Sequence, residues 1–455
     1  MEPIKTFELS KEYLESLREG IELNDNDFII ESLEGVNVAD IAAILDELNM
    51  DEAIYVLRLL EPVISADILI ELDEDSLIKV IREMEVVELA SLIDQMDSDD
   101  AADILILMPS KEREEVIAHL QEREKSANIL ELLRYDEDSA GGLMAKEFIR
   151  ANQNWNVVQT IEEIRRQAEK VEKIYSIYVV DNKQHLLGRV SLKKIILASS
   201  DTKISDIYEP ELISVPTYMD GEEVAEIMRK YDLESLPVVN AKNRLVGRIT
   251  VDDILDLIRE QSEEDMQAMT GISADVEESD SVFRISKARL PWLLIGVIGG
   301  LMGAGIIDFF EAGLQKIIAL ASFIPLVAAT GGNVGIQSSS LVVQTLASKS
   351  VFDDTPWQRF IKGLLIALVN GVVLGSFVFT VVVLFYKHEW IFGLTIGLAM
   401  FCVVLMASFM GTVTPLVLNK FGINPAIASG PFITTANDLL GLAVYFGVAM
   451  WLLQI

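Results

Sequence analysis

From Pro291 to Ile455 the chain is so poor in charge that water cannot be its main surroundings. That stretch holds six basic residues (Lys316, Lys349, Arg359, Lys362, Lys387, Lys420) and six acidic ones (Asp308, Glu311, Asp353, Asp354, Glu389, Asp438). It divides into five apolar runs, roughly Trp292–Phe310, Ile317–Leu346, Ile361–Tyr386, Ile391–Leu418 and Pro425–Leu453. Each approaches or exceeds the ~20 residues that carry a helix across the hydrocarbon core of a bilayer. The remaining 31 basic and 65 acidic residues all stand in Met1–Leu290, which therefore carries the whole net charge of −34. The first part is a polyanion that belongs in water, and the second is an apolar body that belongs in lipid. Carboxylates at that density repel one another unless cations are near. A cation sensor attached to a membrane domain is the first reading to test.

The basic residues beside the apolar runs sort by side. Lys287 and Arg289 precede the first run, Lys349, Arg359 and Lys362 lie between the second and third, and Lys420 lies between the fourth and fifth. Only Lys316 and Lys387 fall on the other side. This excess predicts a multi-pass protein of the cell (inner) membrane with its amino-terminal half in the cytoplasm and its carboxy terminus outside. The start, Met1 to Glu8, lacks the basic segment and apolar run of a secretory signal. The lone Cys402 can form no intrachain disulfide, as expected in a reducing compartment. His119, His185 and His388 show no metal-ligand spacing and no HExxH is present, which argues against a zinc enzyme, and the chain is expected not to be an enzyme.

Three polar features interrupt the apolar part. Asp438, within Thr434-Thr435-Ala436-Asn437-Asp438, is an acid at membrane depth; such acids face a cavity, an ion or a partner, or else hydrogen-bond a neighbouring helix. The run Thr330-Gly331-Gly332-Asn333-Val334-Gly335-Ile336-Gln337-Ser338-Ser339-Ser340 suits either close helix packing or backbone carbonyls lining an aqueous path. One carboxylate with carbonyls and waters is the oxygen environment a hard divalent cation prefers. Asp308 and Glu311, at the outer end of the first span, form either a solvated rim or a ring that concentrates cations.

The acidic half contains a repeat. Tyr175–Asp181 continuing through Gly188-Arg189-Val190-Ser191 matches Glu234–Asn240 continuing through Gly247-Arg248-Ile249-Thr250 at an offset of 59 residues. Each copy reads as strand, polar turn, strand and helix start, which predicts paired α/β modules sharing one core. The pattern resembles a tandem CBS pair, a regulatory module that often binds adenine nucleotides. The resemblance implies a nucleotide site at Thr250 with Asp253 in the second copy. The first copy has Ser191 but Lys194 in place of the acid, and Lys194 cannot accept a ribose hydrogen bond. ATP therefore stays an open second ligand, and Asp253 is equally suited to a cation.

Ahead of the repeat, about 130 residues read as short amphipathic helices. Ala39-Asp40-Ile41, Ala66-Asp67-Ile68 and Ala102-Asp103-Ile104 suggest a helical repeat wound into a small superhelix. The acids Asp97, Asp99, Asp100 and Asp103 read most simply as a solvated helix start favoured by the helix dipole. Farther on, Asp252, Asp253 and Asp256 precede Glu263, Glu264 and Asp265; acids spaced three and four apart on one helix face repel unless a cation bridges them. Asp275, Glu277, Glu278 and Asp280 continue the charge into a polar, helical connecting segment.

This order of parts resembles the MgtE family of magnesium channels over essentially the whole chain. The resemblance rests on Ala329–Ser338, on Asn424-Pro425-Ala426 through Pro431 to Asp438, and on Arg134–Met144 at the entry to the CBS pair. It implies five parts: a helical superhelical domain over 1–137, CBS domains over 138–199 and 200–265, a connecting (plug) helix over 266–290 and an all-α pore domain of five transmembrane helices over 291–455. It also implies a homodimer in membrane lipid, with divalent cations and no nucleic acid as partners. Mg²⁺ would be both cargo, selected at Asp438 with Asn333, and regulator, closing the channel from the cytosol at Glu222, Asp232, Asp253, Asp256, Glu264 and Asp265. Gln261 stands where a further acid of the family is expected. In the helical domain Val87 and Ser91 stand near expected carboxylates, which directs attention to Glu88, Asp94 or the Asp97–Asp103 group. The rival reading is a proton- or sodium-coupled divalent cation carrier with a nucleotide-sensing CBS pair.

Overall fold

The computed structural model describes residues 7, 9–169, 171, 173–272, 276, 281–347, 356–385, 389–428 and 430–454. The acids Asp275, Glu277, Glu278 and Asp280, and Lys349, Asp353, Asp354, Lys387 and His388, lie outside them. The chain forms two compact units, 1–258 and 259–455.

The first unit opens with ten short helices: α1 (Lys11–Glu22), α2 (Asn26–Leu33), α3 (Val38–Asp46), α4 (Met50–Leu59), α5 (Pro62–Glu71), α6 (Glu74–Glu83), α7 (Val86–Ile93), α8 (Ser98–Ile106), α9 (Ser110–His119) and α10 (Arg123–Leu132). Their brevity is written locally. Asp25, Asn37, Asn49 and Asp73 accept backbone N–H bonds at helix starts, and Asn49 with Glu52 closes a capping box. Alternate helices then stack, α3 on α5, α5 on α7 and α7 on α9, which gives the expected superhelix. Ile41, Ala66, Ile68 and Ile104 from the repeated Ala-Asp-Ile triplets all point into the core.

Two three-stranded sheets follow. In the first, β1 (Ile149–Asn152) runs parallel to β2 (Ile177–Val180), which pairs antiparallel with β3 (Leu186–Val190). In the second, β4 (Val215–Pro216), β5 (Ser235–Val239) and β6 (Leu245–Thr250) repeat that order. The helices α11 (Val157–Ala168), α12 (Leu192–Leu197), α13 (Gly221–Tyr231) and α14 (Val251–Thr270) accompany them. The two copies are interleaved rather than sequential. Ala145 and Arg248 exchange backbone bonds of 2.8 and 3.0 Å, so residues ahead of the first sheet complete the second. Arg189 and Glu209 do the same in reverse at 3.0 and 2.7 Å. Ala140 and Met144 accordingly sit in the second module's core and Ile204 in the first's, so the cut expected between 199 and 200 follows the repeat but not the packing.

This exchange explains why both copies carry Gly-Arg. A Cβ at Gly188 would fall 2.1 Å from the Glu209 carbonyl oxygen, and one at Gly247 would fall 2.6 Å from Met144 Sδ. Only hydrogen fits where the other copy's backbone crosses.

In the second unit, α15 (Val282–Phe309) passes through Pro291 without interruption, so the connecting segment expected at 266–290 and the first span meet inside one helix. After the short α16 (Glu311–Lys316) come α17 (Ile324–Ala347), α18 (Pro356–Leu384), α19 (Trp390–Lys420) and α20 (Pro431–Leu453). Five segments are long and apolar enough to cross a membrane: Val282–Phe309, Ile318–Leu346, Phe360–Leu384, Trp390–Lys420 and Pro425–Leu453. α19 is the central post, packed by α17, α18 and α20, while most of α15 is exposed on the isolated chain. Tyr445 ties α20 to the segment before α17 by donating to the Leu320 carbonyl at 2.8 Å.

The substitution Gly188→Val should destabilise the first unit by about 1–3 kcal/mol, as overpacking of a filled site does. Thermal unfolding of the purified protein checks this, and the drop should exceed that of Gly35→Val, where nothing lies within 4 Å but the positive φ of 77° alone adds strain.

Candidate cation sites

The first unit gathers acids where the helical repeat meets the second α/β module. α8 begins beside β6, and its first N–H groups need acceptors. Asp97 occupies the cap position but makes no cap bond with its side chain. Glu147, reaching in from just before β1, fills that role: Ser98 donates to its Oε2 from the backbone N–H (3.1 Å) and from Oγ (2.7 Å). The Lys146 N–H returns a bond to Ser98 Oγ at 3.0 Å. These bonds bring Glu147 against Asp97 and Asp99, and one carboxylate oxygen from each of the three lies within 4.8 Å of the others.

Asp99 is only 8% exposed, and its Oδ1 is buried without a hydrogen-bond partner among the described residues. Burial, reinforced by Asp100, Asp253, Asp97 and Glu147, pushes its carboxyl well above the usual range. Burial with Asp97, Asp253 and Asp103 nearby pushes Asp100 up to about 8. Asp253 is raised by burial too, although Thr250 offsets this by donating from its N–H (2.9 Å) and Oγ1 (2.5 Å) to Asp253 Oδ2. Two cations border the group. Arg248, 6% exposed, donates Nε to the Glu147 carbonyl at 2.6 Å, pairs with Asp97 at 3.5 Å and lies 5.1 Å from the Tyr175 ring centre. Lys125 donates to the Met96 carbonyl beside Asp97. An all-oxygen set of one buried and two part-buried carboxylates, with Asp99 Oδ1 unpartnered among the described residues, fits a hard divalent cation such as Mg²⁺.

This overturns the solvated-helix-start reading for Asp99, which is buried, while Asp97 and Asp100 are part-buried and Asp103 is exposed. Glu88 is not free to bind a cation in its place, since Arg58 holds it with bonds of 2.7 and 3.0 Å. Asp94 accepts from the Gln121 N–H at 3.0 Å. Glu147 was missed by the sequence reading; nothing in the spacing links it to an α8 start 49 residues earlier in the chain.

The second unit holds the membrane-depth acid. α17 is helical throughout 324–347, so the glycine run serves close packing and its carbonyls are not laid open as a lining. A Cβ at Gly335 would fall 1.8 Å from Asn437 Nδ2, and one at Gly411 would fall 2.5 Å from the Gly335 carbonyl oxygen. The glycines let α17 lie directly against α19 and α20. One turn away, a Cβ at Gly332 would fall 4.0 Å from Asp438 Oδ1. Asp438 is half-buried and Asn333 is exposed on the single chain. Asn437 is fully buried, with neither amide atom partnered among the described residues.

The family profile for divalent cation transporters, MgtE, matches residues 324–448; the MgtE intracellular N domain matches 36–138 and the CBS domain 204–260. The magnesium transporter MgtE of Thermus thermophilus is 35% identical over 444 residues, covering 96% of this chain and 98% of that one. The chain belongs to the MgtE family. The magnesium transporter MgtE of Enterococcus faecalis is 37% identical over 327 residues, 72% of each chain. A crystal structure of the cytosolic domain of the Mg²⁺ channel MgtE in complex with ATP superposes with a TM-score of 0.51 at 34% identity, covering 54% of this chain and 99% of that one.

Of the regulatory positions that MgtE resemblance implies, the structure brings Asp253 to the buried cluster. Glu222 and Asp232 lie exposed at opposite ends of α13, the latter as its left-handed cap with φ 56°. Asp256 and Glu264 are exposed along α14. Asp265 accepts from Asn424 Nδ2 at 2.8 Å within the second unit. Lys194, the residue that departs from the CBS nucleotide pattern, is paired with Glu209 at 2.9 Å.

A carboxyl raised by folding favours the folded state only while protonated, so its contribution is present below about pH 4 and is lost as pH rises toward about 8. If Mg²⁺ binds this group, the thermal stabilisation it gives the first unit should be larger near pH 8 than near pH 5. Asp100→Asn should reduce that difference in a melting experiment.

Proposed function

We propose that this protein is a Mg²⁺-selective channel, working as a homodimer, that imports Mg²⁺ and is closed by cytosolic Mg²⁺ acting on the acidic cluster of the helical and CBS domains. The observation that carries the transport reading is Asp438 beside Gly332 in the membrane unit of a chain whose full-length relative is a magnesium transporter. An acid at membrane depth needs an ion, water or partner. A second copy facing Asp438 and Asn333 would supply the other half of a path. Mg²⁺ gives up its waters reluctantly, so one or two carboxylates contacting it through water can select it without trapping it. The excess of Lys and Arg between the second and third spans and beside the fifth supports a cytoplasmic first unit and an external carboxy terminus.

Asp97, Asp99, Asp100, Glu147 and Asp253 support the regulatory half. Without a counter-ion they repel across the junction between helical repeat and second module, which favours its opening. A divalent cation bound there supplies the charge that turns repulsion into attraction. α14, which begins at the cluster with Asp253, also carries Met269, and Gly271 follows its last residue, Thr270. In the second unit a Cβ at Gly430 would fall 2.4 Å from the Met269 carbonyl oxygen, and one at Gly271 would fall 2.5 Å from Pro431. The end of α14 thus abuts the start of α20, the helix that bears Asp438.

ATP is the ligand in the crystallised relative. Here Asp253 already holds Thr250 and faces the acids, so the side chains favour a cation over a ribose at the second copy, while at the first Lys194, tied to Glu209, offers a ribose no acceptor.

Asp438→Ala should reduce Mg²⁺ flux into proteoliposomes by about tenfold or more, the equivalent of ~1.4 kcal/mol of lost ion stabilisation. Undiminished selective flux in that variant would refute the pore assignment. Flux that follows a proton or sodium gradient in the unaltered protein would favour a coupled carrier instead.

A further inference from the structure

The acidic cluster contains a cation of its own. Lys125, in the first turn of α10, extends into the junction, where its Nζ donates to the Met96 carbonyl, one residue before Asp97. The acids that act on its charge are Glu147, Asp94, Asp97 and Glu122. Two of these, Asp97 and Glu147, belong to the three-carboxylate group whose oxygens converge. Arg248 borders the same acids, but its guanidinium is tied to the Glu147 carbonyl and the Tyr175 ring and forms part of the wall. Lys125 differs in kind: its stem is flexible, and its ammonium is a compact charge held at that end by a backbone carbonyl.

We propose that Lys125 is a tethered counter-charge of this cluster, sharing Asp97 and Glu147 with the regulatory divalent cation and thereby setting the concentration at which that cation closes the protein. The inference rests on the regulatory reading given above. Its physical content is competition. A fixed positive charge beside the carboxylates lowers the gain from adding a second one, so the site fills later than the acids alone would dictate.

The opposing interpretation is that Lys125 merely pins α10 to the loop before α8. The two make opposite predictions. If Lys125 competes, removing its charge lowers the Mg²⁺ needed; if it only pins, removing it loosens the junction and raises the Mg²⁺ needed. Lys125→Gln separates charge from hydrogen bond, because its amide can still donate to a carbonyl. Lys125→Met removes both and Lys125→Arg keeps both.

The test is a MgCl₂ titration of the full-length protein, read by protease protection of the 271–281 connection, with melting temperatures taken to confirm folding. Lys125→Gln and Lys125→Met should lower the half-protection concentration about tenfold, at the modest end of what one neighbouring charge does to an ionisation. Lys125→Arg should stay within about twofold of the unaltered protein, a difference of ~0.4 kcal/mol. Asp99→Asn, run in parallel, should raise the concentration. If Asp99→Asn raises it while both uncharged variants leave it unchanged or raise it, the tethered-charge proposal is overturned and the sensor reading stands. If Asp99→Asn has no effect, the sensor reading itself fails and the proposal falls with it.

Discussion

Like charges held together out of water are the constraint to which the first unit answers. Asp97, Asp99, Asp100, Glu147 and Asp253 meet where the helical repeat joins the second α/β module, with Asp99 buried. Several things oppose their repulsion. Ser98 donates twice to Glu147, Arg248 and Lys125 place positive charge at the edge, and Ala102 and Leu132 join Val224, Leu236 and Ile249 in a shared apolar core. Apolar contact favours the junction at every ion concentration, while the acids oppose it to a degree that depends on what neutralises them.

The membrane unit meets a related constraint with different means. A carboxylate at membrane depth is costly, and Asp438 is placed beside glycines of α17 rather than against a basic partner among the described residues. Those glycines bring helix backbones close and leave the acid half-buried. Both units thus offer oxygen ligands to a hard cation. In the first unit's cluster the carboxylates are crowded and Asp99 is shielded from water, while Asp438 stands as a single carboxylate beside Gly332.

Much of this was readable in advance, and the reasons are local. Four of the five spans were legible within a few residues because length and apolarity alone decide what crosses a bilayer, as for Trp390–Lys420 against the expected Ile391–Leu418. The first starts at Val282 rather than Trp292 because the polar connecting segment continues into the same helix. The paired sheets were legible because Gly188-Arg189 and Gly247-Arg248 recur at a fixed offset. The exchange of segments between the copies was not, since Ala145 finds Arg248 and Glu209 finds Arg189 only after both modules have folded. The acids of α8 looked like a solvated helix start for the same reason: an N-terminal turn rich in Asp is what the helix dipole favours, whatever later covers it.

The sequence by itself determined that an acidic, water-borne half precedes five membrane spans, that the half contains a repeated α/β module, and that Asp438 stands alone at membrane depth. Each of these is a property of neighbouring residues. Tertiary structure alone decided that the glycine run is a packing surface and that Glu147 caps α8. It also decided that Asp99 loses its water and that Lys125 stands among the acids. Burial and charge proximity are created by residues far apart in the chain, and no pattern along the sequence encodes the distance between Asp97 and Glu147.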